Sequence, residues 1–158
     1  MNRIFQLQEK YLEKISEYEK PGNVRDLPLS WERIHMISCA KIGQLLARQR
    51  GVDEEMAAIA CSVHDYGRIV TGRQVNHAAA GYEPLLGFLR ETGLVTPAEA
   101  ELLARAAKNH SSKHEVGSPL EEIVKDADVL NCYQYGMPAE RPEQKKRLQA
   151  MLEGSVVG

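Results

Sequence analysis

The stretch CSVHDYGR, residues 61 to 68, combines residue types that are suited to metal chemistry. His64 and Asp65 stand side by side at the end of an apolar run, and neighbours on a helix point about 100° apart. Both side chains can therefore reach one point only where the helix ends. An imidazole nitrogen and a carboxylate oxygen that meet there can bind a metal ion. Taken alone, such a pair is more often a surface pair or a helix-end cap than a metal site.

The other histidines favour the metal interpretation. Helical spacing turns His35, His64 and His110 toward the apolar faces of three different predicted helices. His77 stands at the head of a fourth predicted helix, where it could join them. A single inward histidine is usually a hydrogen-bonded core residue. Several inward histidines together are explained more simply by a shared metal centre.

Two aspartates late in the chain compete for a place in this centre. Asp126 and Asp128 lie about 200° apart on one predicted helix. Asp128 continues the apolar face of Leu120 and Val124, so we predict that Asp128 faces the core and Asp126 faces outward. Buried charge is costly unless it is paired or bound to a metal. Asp128 is therefore a candidate ligand and Asp126 is not.

The elements that must position these residues are helical throughout. Helical spacing and end signals predict helices over residues 3–19, 30–50, 53–65, 76–91, 96–110, 118–135 and 140–152. Ser30 is the expected N-cap of the second helix, and Thr96 with Glu99 forms a capping box. Residues 66–75 contain two glycines and are predicted to be a loop. Pro84 is expected to kink its helix or mark a restart.

The length, net charge and cysteine content of the chain exclude several classes of function. The 158 residues suffice for one domain with a core, and a net charge of −2 offers no basic field for nucleic acid. No apolar run approaches the roughly 20 residues of a membrane span, and the start has no signal-peptide core. The three cysteines have no paired spacing, so we expect reduced core thiols. These features predict a cytoplasmic protein without nucleic-acid or membrane partners, and leave its oligomeric state open.

In the order of these motifs the chain resembles the HD superfamily of metal-dependent phosphohydrolases. The matching residues are His35 in WERIHMISCA, His64 and Asp65 in SVHDYGR, and Asp128 in KDADVL. His77 in NHAAAGYEPLL and His110 in KNHSS resemble the additional histidines of the two-metal branch. The resemblance spans residues 30–135. It implies an all-α, single-domain bundle of the HD type over residues 1–158, with six to seven helices.

The resemblance also implies a ligand set. His35, His64, Asp65 and Asp128 would bind one metal ion, and Asp65 would bridge to a second ion completed by His77 and His110. These nitrogen and oxygen ligands suit one or two ions of Mn, Fe, Mg, Co or Ni without selecting among them.

Basic residues near these motifs are the candidate substrate contacts. Arg68 matches a position where relatives often carry a basic residue that meets the substrate phosphate, and a solvated loop arginine is the alternative. With Asp65, it forms the predicted catalytic pair. Lys113 and His114 follow His110 and could line the mouth of the site, although ordinary loop exposure is the favoured interpretation for both.

The implied activity is hydrolysis of a phosphate ester or anhydride, with nucleotides as the leading substrate class. Two cations close together lower the pKa of a bridging water and neutralise phosphate oxygens. Two alternatives remain open at this point. One is a di-iron oxygenase, because some members of the superfamily cleave bonds with O₂. The other is a metal-stabilised ligand-binding module without turnover.

Overall fold

The computed structural model describes residues 1–156, with side chains described to residue 154. Over this range the chain is all-helical, as predicted, and it contains nine helices rather than six or seven. They are α1 (Arg3–Glu17), α2 (Leu29–Arg50), α3 (Glu54–Val63), α4 (Tyr66–Thr71), α5 (His77–Ala80), α6 (Tyr82–Thr92), α7 (Pro97–Asn109), α8 (Pro119–Gln134) and α9 (Pro142–Val156). The larger number reflects the short helices α4 and α5.

Helix α3 lies at the centre of the bundle. Every residue from Ala57 to Val63 is buried, and α3 contacts α1, α2, α7 and α8. A helix that is apolar on all sides must be surrounded by others, and its alanines let those neighbours approach closely. His64 and Asp65 follow α3 directly, so the chain delivers them into the middle of the molecule.

Two arginines connect the terminal helices to the bundle. Arg3, on α1, forms a bidentate pair of hydrogen bonds with the Glu99 carboxylate of α7, each 2.9 Å long. Arg147, on α9, donates to Glu122 at 2.7 Å and to Asp126 at 2.9 Å. Fork-shaped guanidinium contacts of this kind fix orientation as well as distance. Helix α9 is thereby held against α8.

Helix α4 occupies the segment that was predicted to be a loop. Ile69 is fully buried and Tyr66 is 5% exposed, so the segment is an internal element rather than a surface connection. The Thr71 hydroxyl donates to the carbonyl of Gly67 at 2.8 Å, which closes the last turn. The loop prediction was wrong because it rested on glycine propensity, and burial of the apolar residues outweighs that local preference.

Two other local predictions concern helix starts, and the first needs correction. Helix α2 begins at Leu29 with Pro28 in the N-cap position, so Ser30 lies inside the first turn and does not cap it. The single helix predicted over residues 76–91 is divided at Gly81, and α6 restarts at Tyr82, so Pro84 marks a restart as one of the two expected alternatives had it. Pro84 occupies the first turn of α6, where its missing N–H removes no helical hydrogen bond.

The predicted helix ends around α7 are confirmed. Thr96 and Glu99 form both hydrogen bonds of the capping box, and Ser118 caps α8. These signals succeed because both partners of each cap lie within one turn. In the described part of the chain, no helix combines the length and the apolar character needed to cross a membrane.

Candidate metal centre

Close packing of α2 against α3 brings His35 and His64 together. A Cβ at Gly43 would lie 2.4 Å from Cys61 Sγ, so any larger residue there would force the Cys61 side chain to move. His35 stands two turns before Gly43 on α2, and His64 follows Cys61 on α3. As a result the two Nε2 atoms lie 3.2 Å apart, although the residues are 29 positions apart in sequence.

A second close approach positions His77 beside Asp65. A Cβ at Gly67 would lie 1.9 Å from the carbonyl oxygen of His77, and a Cβ at Gly81 would lie 2.7 Å from the Gly67 nitrogen. The backbones of α4 and α5 are therefore in direct contact. Because Asp65 immediately precedes α4 and His77 begins α5, this contact brings the two side chains within 3.0 Å.

The four histidines of the site, His35, His64, His77 and His110, are each held by a hydrogen bond from Nδ1. His64 and His110 each contact the carbonyl three residues earlier, Cys61 at 2.7 Å and Ala107 at 2.5 Å. His77 does the same with Gln74 at 2.7 Å. Such carbonyls are free at helix ends, so a histidine there can donate to them. The donation leaves Nε2 of each ring as the atom that points into the site.

The first cluster consists of His35, His64, Asp65 and Asp128. His35 Nε2 lies 3.3 Å from Asp65 Oδ2 and 3.2 Å from Asp128 Oδ1. His64 Nε2 lies 3.2 Å and 3.5 Å from the same two oxygens. Four potential ligand atoms from α2, α8 and the end of α3 therefore converge on one point.

The second cluster consists of Asp65, His77 and His110. Here the other carboxylate oxygen of Asp65, Oδ1, lies 3.0 Å from His77 Nε2 and 3.3 Å from His110 Nε2. The two imidazole nitrogens lie 3.2 Å apart. Asp65 thus belongs to both clusters, with one oxygen directed at each.

These clusters fit metal ions. For ligand bonds near 2.1 Å, neighbouring ligand atoms stand about 3.0 Å apart at right angles and about 3.4 Å apart at the tetrahedral angle. The observed separations of 3.0 to 3.5 Å match this range. In each cluster two Nε2 atoms also face each other at 3.2 Å while their Nδ1 atoms donate elsewhere, and a cation between them would be bound by both nitrogens. The donor set suits divalent metals without selecting one.

Two buried cations neutralise the carboxylates. Arg68 Nη2 lies 2.5 Å from Asp65 Oδ2, and its Nε donates to Glu32 at 2.6 Å. Lys113 Nζ lies 2.7 Å from Asp128 Oδ2. Arg68 is 5% exposed and Lys113 is 4% exposed, so neither is a solvated loop residue. Their substrate contacts remain predictions.

His114, the remaining candidate substrate contact, does not join the clusters. Its side chain is 64% exposed and contacts Glu115 at 3.5 Å. It points to solvent while Lys113 points inward, because successive loop residues face different directions.

Sequence reasoning missed two polar partners of the site. Asn131 is fully buried, and its Oδ1 accepts from His35 Nδ1 at 2.7 Å. Glu32 is 2% exposed and pairs with Arg68. Each lies three residues from a predicted ligand, Asn131 after Asp128 and Glu32 before His35. That i, i+3 spacing on one helical face is the signal that could have found them.

Asp126 and Asp128 face different parts of the structure, but the difference between them is not one of solvent exposure. Asp128 faces the histidines as predicted, but Asp126 is 9% exposed rather than outward in solvent. It pairs with Arg50 at 2.8 Å and with Arg147 at 2.9 Å. The register places Asp126 on the far side of α8, and α9 covers that side.

This arrangement predicts different outcomes for two matched variants. Asp128→Asn is expected to lose at least about tenfold in metal affinity, because it removes a charged ligand atom. Asp126→Asn is expected to keep its metal and lose about 1–3 kcal/mol of stability through its arginine pairs. Metal analysis and urea unfolding of both variants check this. Metal loss in Asp126→Asn alone would contradict the assignment.

The electrostatics differ between the two clusters. Burial lowers the pKa of His110 to about 4, so this ring is neutral at pH 7. Burial acts in the same direction on His35, but the hydrogen bonds to Asp128 and Asp65 raise its pKa to about 10. The charge of Asp65 likewise raises the pKa of His64 above its usual value, against the effect of burial. The metal-free first cluster therefore holds protons on His35 and His64, whereas His110 in the second cluster holds none.

Metal binding should consequently release protons from the first cluster. At pH 7 the protonated His35 and His64 must each lose a proton to become ligands, so we expect release of about two protons. The apparent metal affinity should rise as the pH approaches 10, the pKa of His35. Calorimetric titration in buffers of different ionisation enthalpy measures this release. A binding heat that is independent of the buffer would contradict it.

The number of ions is a separate prediction. We expect the metal-free protein to bind close to two ions, one at each cluster. His77→Ala and His110→Ala should each reduce this to about one, because the second cluster has only three protein ligands. Titration with Mn²⁺ followed by metal analysis gives the stoichiometry. One ion in the wild type, unchanged in both variants, would refute the second site.

The fold and the site together define an all-helical protein with two histidine–carboxylate clusters that fit metal ions. The chain matches the family model of the HD domain over residues 33–131, a range that contains all six predicted ligands. It belongs to the HD domain family, whose members are mostly metal-dependent phosphohydrolases. Comparison with curated proteins and with solved structures gives no significant match.

Proposed function

We propose that this protein is a metal-dependent phosphohydrolase that cleaves a phosphate ester or anhydride of a small molecule, with nucleotides as the leading class. The observation that carries the proposal is the pair of clusters that share Asp65. A shared carboxylate would hold two cations close together, an arrangement that stabilises the in-line displacement of a phosphoryl group. The family to which the chain belongs supports the same reaction class.

Metal ions at these clusters would supply the charge that acidifies a water molecule and neutralises phosphate oxygens. The protein holds the ligands for them. Desolvation of Asp65 favours its protonated form, but the charges of Arg68 and His64 and the hydrogen bonds from His110 and His35 together outweigh it and keep the carboxyl pKa well below its usual range. The carboxylate is therefore ionised at neutral pH. Lys113 and Arg68 each hold a positive charge beside a carboxylate, where a phosphate oxygen could also accept from them.

A polar cavity supports a polar substrate. It has a volume of about 440 Å³ and borders the second cluster at His77. Its other walls include Lys108, Ser111, Ser112 and Arg141. Hydroxyl and cationic side chains of this kind suit sugar and phosphate groups. We propose that the part of the substrate that is not cleaved lies here.

The test is phosphate release by the Mn²⁺-loaded protein from a panel of nucleoside monophosphates, dinucleoside polyphosphates and cyclic dinucleotides. The expected result is turnover of at least one class, abolished by chelation and restored by metal. Oxygen consumption by the reduced iron-loaded protein, without phosphate release, would indicate the oxygenase alternative. Neither activity on a metal-loaded protein would indicate a binding module.

A further inference from the structure

A larger cavity lies apart from the metal centre, between α2, α8 and α9. Its volume is about 840 Å³, within the range of small-molecule sites. The six predicted metal ligands lie outside its lining. Lys113 is common to both regions, since its side chain borders the cavity while its ammonium group contacts Asp128.

The floor of this cavity is apolar. It is formed by Ile42, Leu45 and Leu46 of α2, Leu130 of α8 and Met151 of α9. Leu45 is 61% exposed, so a large apolar surface remains in contact with water. Covering such surface with an apolar group is favourable in proportion to the area removed from water. Met151 adds a flexible side chain that can adapt to the shape of a ligand.

The rim of the cavity carries a surplus of positive charge. Each acidic residue of the lining already has a basic partner. The pairs are Asp126 with Arg50 and Arg147, Glu122 with Arg147, and Glu143 with Arg141. Lys146 also lines the cavity, and it forms no ion pair with the described residues. An apolar floor beside this lysine is complementary to a molecule with an apolar body and one negative charge.

We propose that this cavity is a second binding site, for an amphipathic monoanion. Its aliphatic or aromatic body lies on the leucines of α2, and its single acidic head group pairs with Lys146. This proposal does not rest on the hydrolase activity, because the leucines of α2 and Lys146 include no predicted metal ligand and no predicted substrate contact.

The test is calorimetric titration of the metal-loaded protein with decanoate. We expect saturable binding to one site per chain. Leu45→Asp should weaken it by at least about tenfold, since a carboxylate then stands in the apolar floor and repels the anion. Lys146→Gln should weaken it by about two- to fivefold, the usual effect of an exposed ion pair. Leu102→Asp and Lys145→Gln are matched controls on exposed positions outside the cavity, and they should bind as the wild type does.

Four results would overturn the proposal. The first is the absence of saturable binding to the wild type. The second is an equal loss in Leu45→Asp and Leu102→Asp, which would indicate non-specific association. The third is equal affinity for decanol and decanoate, because it would remove the role of the charge. The fourth is loss of decanoate binding after metal removal from the folded protein, which would place the anion at the metal centre instead. None of these results bears on phosphate release, so the two proposals fail independently.

Discussion

Asp65→Asn is expected to lose both bound metal ions and at least about 10³-fold in phosphate release. Asp65 is the residue common to the two clusters, with Oδ2 directed at His35 and His64 and Oδ1 directed at His77 and His110. Asparagine keeps the size of the side chain but replaces one oxygen with an amide group that cannot act as an anionic ligand. Every other predicted ligand belongs to one cluster, so no other single substitution should affect both.

The measurements are metal content after gel filtration and phosphate release at saturating Mn²⁺. Removing Asp65 also deprives Arg68 of a partner, although Glu32 still pairs with that guanidinium. Circular dichroism should therefore show that the variant remains helical. Asp53→Asn is the matched control at the other end of α3, where asparagine can also cap the helix. Retention of both ions in Asp65→Asn would contradict the shared-carboxylate geometry.

Gly67→Ala is expected to destabilise the protein by about 3 kcal/mol or more and to reduce metal binding at the second cluster. A single added methyl group would lie 1.9 Å from the His77 carbonyl oxygen and 2.8 Å from the Gly81 nitrogen. These are backbone atoms, so the clash cannot be relieved by rotating a side chain. Helices α4 and α5 must separate, and His77 then moves away from Asp65.

Urea unfolding of the metal-free protein and Mn²⁺ titration measure the two effects. Gly87→Ala is the control, because a Cβ at that exposed position of α6 would have no atom within 4 Å. This control should be neutral or stabilised by up to about 1 kcal/mol, as alanine favours the helix. Equal stability of the two variants would show that α4 and α5 have room to accommodate the methyl group. In that case the glycines would not position His77.

The two clusters are buried, and the exposed fractions of their side chains show where they are open to solvent. The side chain of Asp128 is 16% exposed, whereas the histidine side chains are at most 6% exposed and that of Asp65 is 7% exposed. Asp128 therefore marks one opening to the clusters. The polar cavity that His77 lines lies on another side of the clusters. A substrate that spans both clusters would lie between these two positions.

Local sequence determined the helical class and the inward direction of the principal polar residues. His35, His64 and Asp128 point toward one another in the structure, as their positions on apolar helical faces predicted. Helical periodicity depends only on residues within a few turns, so it can be read from one segment at a time. The capping box of Thr96 and Glu99 was predictable for the same reason.

Tertiary structure decided the features that depend on contacts between distant parts of the chain. Residues 66–75 were expected to be a loop, yet burial of Ile69 makes part of them a helix. Arg68 and Lys113 are buried because carboxylates from distant parts of the chain reach them, Glu32 at a separation of 36 residues and Asp128 at 15. Asp126 is covered because Arg147 of α9 folds over it. A side chain's direction on its own helix is a local property, whereas its burial and charge partners depend on which other elements pack against that face.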